Sequence, residues 1–177
     1  MSPKKLIHCP ASFLRHAYPI DGVEIVAFNS HMISQKARYA LKALVALARA
    51  ENSLMIGEIA EREGIPRKFL EQILLDLKHH GIVASRRGRF GGYGLLMPAD
   101  QITFGRVLRL IDGPIAQLPC LSRIAYRRCA DCRSEQNCEI RRVFARVAEA
   151  ARDVLDRATL AEAIADDSSV AALIRVG

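Results

Sequence analysis

The apolar periodicity of this chain changes from helical to strand-like near residue 81, and few folds accommodate that order. From Ser34 onward apolar residues recur at helical spacing, and a second, short helix is predicted to end at Gly64. A third helix is predicted from Pro66 to a stop at Gly81. The following stretch, IVASRRGRFGGYGLLM, alternates in polarity and contains a glycine-rich turn, which predicts a β-hairpin.

Helix, short helix, helix and hairpin is the order of a winged helix-turn-helix, so we expect a mainly α fold with a β-hairpin wing. In that arrangement the third helix enters the DNA major groove and the wing touches the backbone or the minor groove. Gln can pair with adenine, and Arg with guanine or phosphate. The candidate DNA-binding residues of the third helix are Arg67, Lys68, Glu71 and Gln72. Those of the wing are Arg86, Arg87, Arg89, Gly91, Gly92 and Tyr93.

Each candidate has a plainer alternative, because a polar helix face or a charged turn can simply be solvated.

The net charge of +7 favours a polyanionic partner, most simply double-stranded DNA. The basic excess lies in the middle of the chain, where the third helix and the wing are predicted. Half of the residues are hydrophobic and there is no Trp, which favours helices packed through aliphatic side chains.

Four of the five cysteines, Cys120, Cys129, Cys132 and Cys138, lie within one short stretch. Soft thiolates at such spacing can close around zinc or an iron–sulfur cluster, and spacing alone favours neither. Nearby arginines would lower thiol pKa values and offset the negative charge of either centre. These arginines are Arg123, Arg127, Arg128, Arg133, Arg141 and Arg142. Cys9 stands apart and is treated as incidental.

After the cysteines, one apolar stripe runs along a long predicted helix and favours pairing with a second copy of the chain. Its proposed homodimerisation residues are Ile140, Val143, Phe144, Val147, Val154 and Leu155. The alternative is that the helix packs back on its own domain. Thr159 and Glu162 predict a capping box that starts a last short helix.

Other classes are disfavoured by what the sequence lacks. No apolar run is long enough to span a membrane, and the N-terminal stretch does not resemble a signal peptide. We therefore expect a cytoplasmic protein without a membrane partner, whose thiols stay reduced. The pair Cys129 and Cys132 lacks the βαβ context of a dithiol oxidoreductase, so we expect no enzyme.

The stretches KARYALKALVALA, FLEQILLDLKHHGIVASRRGRFGGYGLLM and the thiols after IDGP resemble the Rrf-two family of winged helix-turn-helix regulators. That family includes IscR-, NsrR- and RirA-like proteins, and the resemblance covers about residues 32–165. The resemblance implies a homodimer that binds a palindromic operator and acts as a repressor. Glu71 matches a glutamate that helps select among operator classes.

The resemblance also implies an iron–sulfur cluster, 2Fe–2S or 4Fe–4S, that senses iron, nitric oxide or redox state and thereby controls the DNA affinity of a repressor. Cys132 and Cys138 match the family's paired ligands, Cys120 is the expected first ligand, and Cys129 is an uncertain fourth. The alternative is a zinc-stabilised or thiol-switch DNA-binding protein without a cluster.

The sequence predicts five segments. Residues 1–31 are an atypical N-terminal extension, and Met32 is a possible native start. The others are a winged helix-turn-helix domain (32–113), a Cys-rich loop (114–139, the cysteine loop below), a dimerisation helix with a short following helix (140–165) and a tail (166–177).

Overall fold

A computed structural model describes most of the chain, which divides into two units, Met1–Met32 and Ile33–Gly177. The described residues are 33–88, 91–130 and 132–166, together with the backbone of 18–20 and 23–25. In the first unit, strands β1 (Tyr18–Ile20) and β2 (Val23–Ile25) pair antiparallel. The possible start at Met32, wing residue Arg89 and the tail beyond residue 166 lie outside the described residues.

Three helices open the second unit, as the periodicity predicts. Helix α1 (Gln35–Arg49) begins after Ser34, whose hydroxyl accepts a hydrogen bond from the backbone N–H of Ala37. Helix α2 (Ile56–Glu63) ends at Gly64, which takes the left-handed conformation at φ +63°. Helix α3 (Arg67–His79) follows after Pro66.

The hydrophobic core forms where the inner faces of these helices meet. Its largest fully buried side chains include Leu44, Ile59, Leu70, Ile73, Leu74 and Leu77. Phe69, an apolar residue of α3, lies at the edge of the core. Its ring is partly exposed and packs edge-on against Tyr39, with ring centroids 5.8 Å apart.

The predicted hairpin is present as strands β3 (Val83–Arg86) and β4 (Gly92–Leu95), which pair antiparallel with Arg86 opposite Gly92. We call residues 83–95 the wing. The wing is joined to the chain before α2, because Leu54 and Tyr93 exchange two backbone hydrogen bonds of 2.9 and 2.8 Å. The wing is thereby held against the helical core.

Helix α4 (Phe104–Ile111) leads into the cysteine loop, and helix α5 (Glu139–Arg157) leaves it. The last described helix, α6 (Leu160–Ala165), begins with the predicted capping box, in which Thr159 and Glu162 bond each other's backbone N–H. Leu160 is fully buried in the same core as the first three helices. We call α1–α4, the wing and α6 together the head.

Two backbone hydrogen bonds fasten the far end of α5 to the head. The N–H of Phe104 donates to the carbonyl of Ala158 at 2.9 Å, and that of Leu160 donates to the carbonyl of Ile102 at 3.0 Å. Within the described ranges, no helix is long and apolar enough to cross a membrane.

Replacing Leu74 by Ala should destabilise the protein by about 2–5 kcal/mol, because the side chain is fully buried in the core. Leu75→Ala is the matched control, since Leu75 is 43% exposed and its loss should cost no more than about 0.5 kcal/mol. Urea unfolding at equal protein concentration measures both values. Equal losses for the two variants would contradict this core assignment.

Candidate DNA-binding surface and cysteine loop

Helix α3 turns its polar candidates away from the core. Arg67, Lys68, Glu71 and Gln72 are all exposed, while the leucine and isoleucine face of the same helix is buried. Arg67 Nε lies 3.5 Å from Glu71 Oε1, one turn along the helix. An exposed pair of this kind contributes little to stability, so both groups can exchange each other for another partner at small cost.

The end of α3 is tied to the wing by a hydrogen bond that the sequence did not indicate. Lys78 Nζ donates to Ser85 Oγ at 2.7 Å, which links the last turn of α3 to strand β3. Arg86 and Arg87 follow Ser85 directly and are exposed. The helix and the described wing arginines therefore belong to one connected surface.

Two glycines allow the wing to turn and to approach the chain before α2. A Cβ at Gly92, where φ is +151°, would lie 2.5 Å from the carbonyl oxygen of Leu54. A Cβ at Gly91 would collide with the carbonyl of Arg86 and lie 2.9 Å from that of Gly88. Both positions require the absence of a side chain. Tyr93, a candidate for DNA contact, is only partly exposed and packs against the core.

The cysteine loop contains one short 3-10 turn (Pro119–Leu121) and otherwise lacks regular structure in its described part. Cys120 lies in that turn with only 5% of its surface exposed. Cys129 and Cys132 are half-buried and share a turn in which the N–H of Cys132 donates to the carbonyl of Cys129 at 3.2 Å. Cys138 precedes α5, and its Sγ accepts from the N–H of Arg141 at 3.4 Å.

The four thiols fit a soft metal or an iron–sulfur cluster, because both are bound by cysteine thiolates. The segment that carries them contains no long helix or strand in its described part. Among the described residues, however, no three side chains of His, Cys, Asp or Glu are grouped closely enough to hold a metal. The four thiols are thus brought into one segment of the fold without forming a preassembled ligand cage in its described part.

Charged contacts fasten the loop to α5. Arg123 Nη2 lies 2.7 Å from Glu149 Oε1, and Arg152 Nη2 lies 2.8 Å from the same oxygen. Hydrogen bonds first from Arg123 and then from Arg152 hold the pKa of Glu149 below its ordinary 4.5. The stabilisation from this carboxylate is therefore present above that value and is lost as the pH falls through the lowered pKa.

A second contact lies inside the loop. The hydroxyl of Tyr126 donates to a carboxylate oxygen of Glu135, and this hydrogen bond is the main cause of a raised pKa for Tyr126. Sequence reasoning missed both loop contacts, since no spacing rule pairs residues nine or more positions apart in an irregular segment.

Helix α5 carries an apolar face that the rest of the described chain leaves exposed. Ile140, Val143 and Val154 are 62%, 61% and 66% exposed, and Phe144 and Val147 are exposed as well. Leu155 is half-buried, and the fully buried residue of the helix is Ala148. The helix therefore contacts the head along a neighbouring face while most of the predicted dimerisation residues face solvent.

Gly92→Ala should destabilise the wing, with a cost of about 1–3 kcal/mol for a non-glycine residue in this conformation and close to the Leu54 carbonyl. Gly94→Ala is the matched control in the same strand, because a Cβ there would meet only Ser53 Oγ at 3.7 Å. Hydrogen exchange of the wing amides and urea unfolding report the difference. Identical behaviour of the two variants would refute this explanation of Gly92.

Comparison with known proteins agrees with this architecture. The model of the Rrf-two (Rrf2) family, described as an iron-dependent transcriptional regulator, matches residues 33–166. An rrf2-like HTH-type transcriptional regulator of Rhodobacter capsulatus is 49% identical over 148 residues, which cover 81% of this chain and 99% of that protein.

Two solved structures show the same fold. CymR, the global cysteine regulator of B. subtilis, is 30% identical with a TM-score of 0.63 and aligns over 75% of this chain and 95% of its own. IscR of T. potens is 27% identical with a TM-score of 0.60, over 82% and 93% of the two chains. The likeness to these structures confirms the predicted winged-helix fold. The relatives are transcriptional regulators and not enzymes, and the chain belongs to the Rrf2 family of transcriptional regulators.

Proposed function

We propose that the protein is a repressor that binds a palindromic operator as a homodimer through α3 and the wing. The observation that carries the DNA-binding part is the continuous exposed surface of α3 and β3, joined by Lys78 and Ser85 and bearing Arg86 and Arg87. Exposed arginines at a wing can neutralise phosphates, and the first turns of a recognition helix reach base edges. The proposed DNA-binding domain is residues 32–113.

The apolar face of α5 supports the dimer, since monomeric proteins rarely leave an aliphatic stripe of this length in water. A second copy would cover it by packing the same face of its own α5, as a two-fold interface requires. Two heads held at a fixed distance would then match two half-sites of a palindrome. In this proposal residues 140–165 form the dimerisation segment, although Leu160 also completes the core of the head.

The cysteine loop is the proposed sensor, with Cys120, Cys132 and Cys138 as ligands of an iron–sulfur cluster and Cys129 as the fourth. The family description as iron-dependent supports this assignment. A cluster would supply a centre that responds to iron, nitric oxide or redox state. The loop is placed to pass a change at such a centre to the dimerisation helix, because it joins α4 to α5 and Cys138 caps the first turn of α5.

A change in the loop would act on DNA affinity by changing how the two heads are arranged. Arg123 of the loop binds Glu149 of α5, which also pairs with Arg152 of the same helix, so a loop that rearranges must move with α5 or break the Arg123–Glu149 contact. Any such effect is limited by the difference in affinity of the cluster for the two arrangements.

The second candidate function is that of a regulator without a cluster, which either responds to cysteine or other thiols or has a loop stabilised by zinc. The likeness to CymR supports it, because that structure's title names a global cysteine regulator. Four thiols suit zinc and thiol oxidation as well as they suit iron.

Arg86→Ala with Arg87→Ala should weaken DNA binding and reduce the dependence of log affinity on log salt by about 0.9 for each lost phosphate contact. Arg157→Ala is the control, since this exposed arginine on α5 pairs only with Asp153 among the described residues. Fluorescence anisotropy over a salt series measures the slope. An unchanged slope in the double variant would remove the wing from the proposed interface.

Val147→Glu should convert the dimer to monomers, because it places a charge in the middle of the apolar face of α5. Arg146→Glu, on the neighbouring exposed face, changes the charge more and should leave the dimer intact. Sedimentation at several protein concentrations distinguishes the two. A monomeric wild-type protein, or a dimeric Val147→Glu variant, would disprove the proposed interface.

The experiment that tests the sensor is anaerobic purification with a visible spectrum and iron, sulfide and zinc analysis of one sample. Matched iron and sulfide that are lost in Cys132→Ser and in Cys138→Ser, and retained in Cys9→Ser, are the expected result. One zinc per chain without iron would favour the zinc-stabilised alternative. Metal-free protein whose DNA affinity changes on thiol oxidation would favour the thiol switch.

A further inference from the structure

Arg141 contacts three separate parts of the cysteine loop. Its backbone N–H donates to Cys138 Sγ at 3.4 Å, and its Nη2 donates to the carbonyl oxygen of Cys120 at 3.4 Å. Its Nη1 donates to the carbonyl oxygen of Glu135 at 3.3 Å and lies 3.8 Å from the carboxylate of the same residue. One residue in the first turn of α5 therefore joins the two outermost thiol-bearing residues of the loop.

Several hydrogen bonds converge on Arg141 and act together. Each contact is long for a hydrogen bond and would be weak alone. A guanidinium is planar and presents several N–H groups in fixed directions, so one side chain can hold two carbonyls at once. The buried position of Cys120 agrees with this restraint, because its carbonyl is held against α5 while the remaining described thiols are only half-buried.

The contacts of Arg141 continue into the rest of the loop. Glu135, which Arg141 binds, also accepts the hydrogen bond from Tyr126. Arg128 Nη2 donates to the carbonyl oxygen of Cys132 at 3.0 Å, which orders the middle of the loop in the same way. Side chains of the loop and of α5 thus help to orient the backbone around the thiols, with Arg141 at the point where the loop meets α5.

We propose that Arg141 is a positioning residue that holds Cys120 and Cys138 at a separation from which both thiolates can close on one metal centre. This inference rests on the proposed metal-binding function of the loop. Arg141 cannot itself be a ligand, since its guanidinium stays protonated. Its part is to orient the ligand-bearing backbone, and loss of such supporting contacts typically costs about 10–100-fold in metal affinity.

The test uses reduced, metal-free, full-length protein with cobalt(II) alone as the probe. Arg141→Ala should lower cobalt affinity about tenfold or more and weaken the thiolate-to-cobalt charge-transfer absorption to that of Cys120→Ser. Arg141→Lys keeps the charge and the helix but lacks the fork, so it should fail to restore either property. Before cobalt is added, alkylation mapped by mass spectrometry should modify Cys120 faster in Arg141→Ala, because the contact that holds the Cys120 carbonyl against α5 is lost.

Arg146→Ala is the matched control, because Arg146 is an exposed arginine of the same helix and its side chain bonds none of the described residues. It should behave as the wild type in all three measurements, and circular dichroism should give equal helix content for every variant. Wild-type alkylation, cobalt affinity and spectrum in Arg141→Ala, or full rescue by Arg141→Lys, would overturn the inference.

Failure of the proposed function gives a different pattern. A wild-type protein that binds neither cobalt nor iron would refute the metal-binding loop and, with it, the metal-directed part of this inference. Faster alkylation of Cys120 in Arg141→Ala but not in Arg146→Ala would, in that protein, still support the positioning of the thiol by Arg141.

Discussion

The backbone pairing between residues 102–104 and 158–160 is the contact on which the remaining architecture depends. Thr103 and Thr159 face each other there as an isolated bridge, with α4 starting on one side and α5 ending on the other. The chain after α4, which includes the cysteine loop and α5, therefore leaves the head and returns to the same place. Leu160 then enters the core and secures the return.

The chain is tightly packed where the start of α4 meets the end of α5. Arg109 Nη2 lies 2.6 Å from Asp156 Oδ1, and a Cβ at Gly105 would collide with the Asp156 carboxylate and lie 3.1 Å from the Leu155 backbone. Helices α4 and α5 are thereby held in one crossing geometry near their joined ends. Movement of the loop would be transmitted at the opposite end of α5, where Cys138 and Arg141 begin the helix.

The wing is likewise held to the rest of the head at two separate points. The wing is fixed at one side by the Leu54–Tyr93 backbone bonds and at the other by the Lys78–Ser85 hydrogen bond. In the proposed DNA complex, a surface that matches groove and backbone together would lose affinity if its two parts moved independently. The glycines of the wing serve this fixation, since Gly92 lets the Leu54 carbonyl approach closely.

Local patterns in the sequence determined the helices, the hairpin and the caps, because helical period, strand alternation, Gly64 and the Thr159–Glu162 pair each act over a few residues. They also identified the exposed face of α3 and the segment of four thiols. Only the tertiary structure decided that Leu160 completes the head, that Phe69 lies at its edge, and that Arg141 joins Cys120 to Cys138. These depend on which distant segments meet, and that is set by the packing of the whole core, which no local spacing encodes.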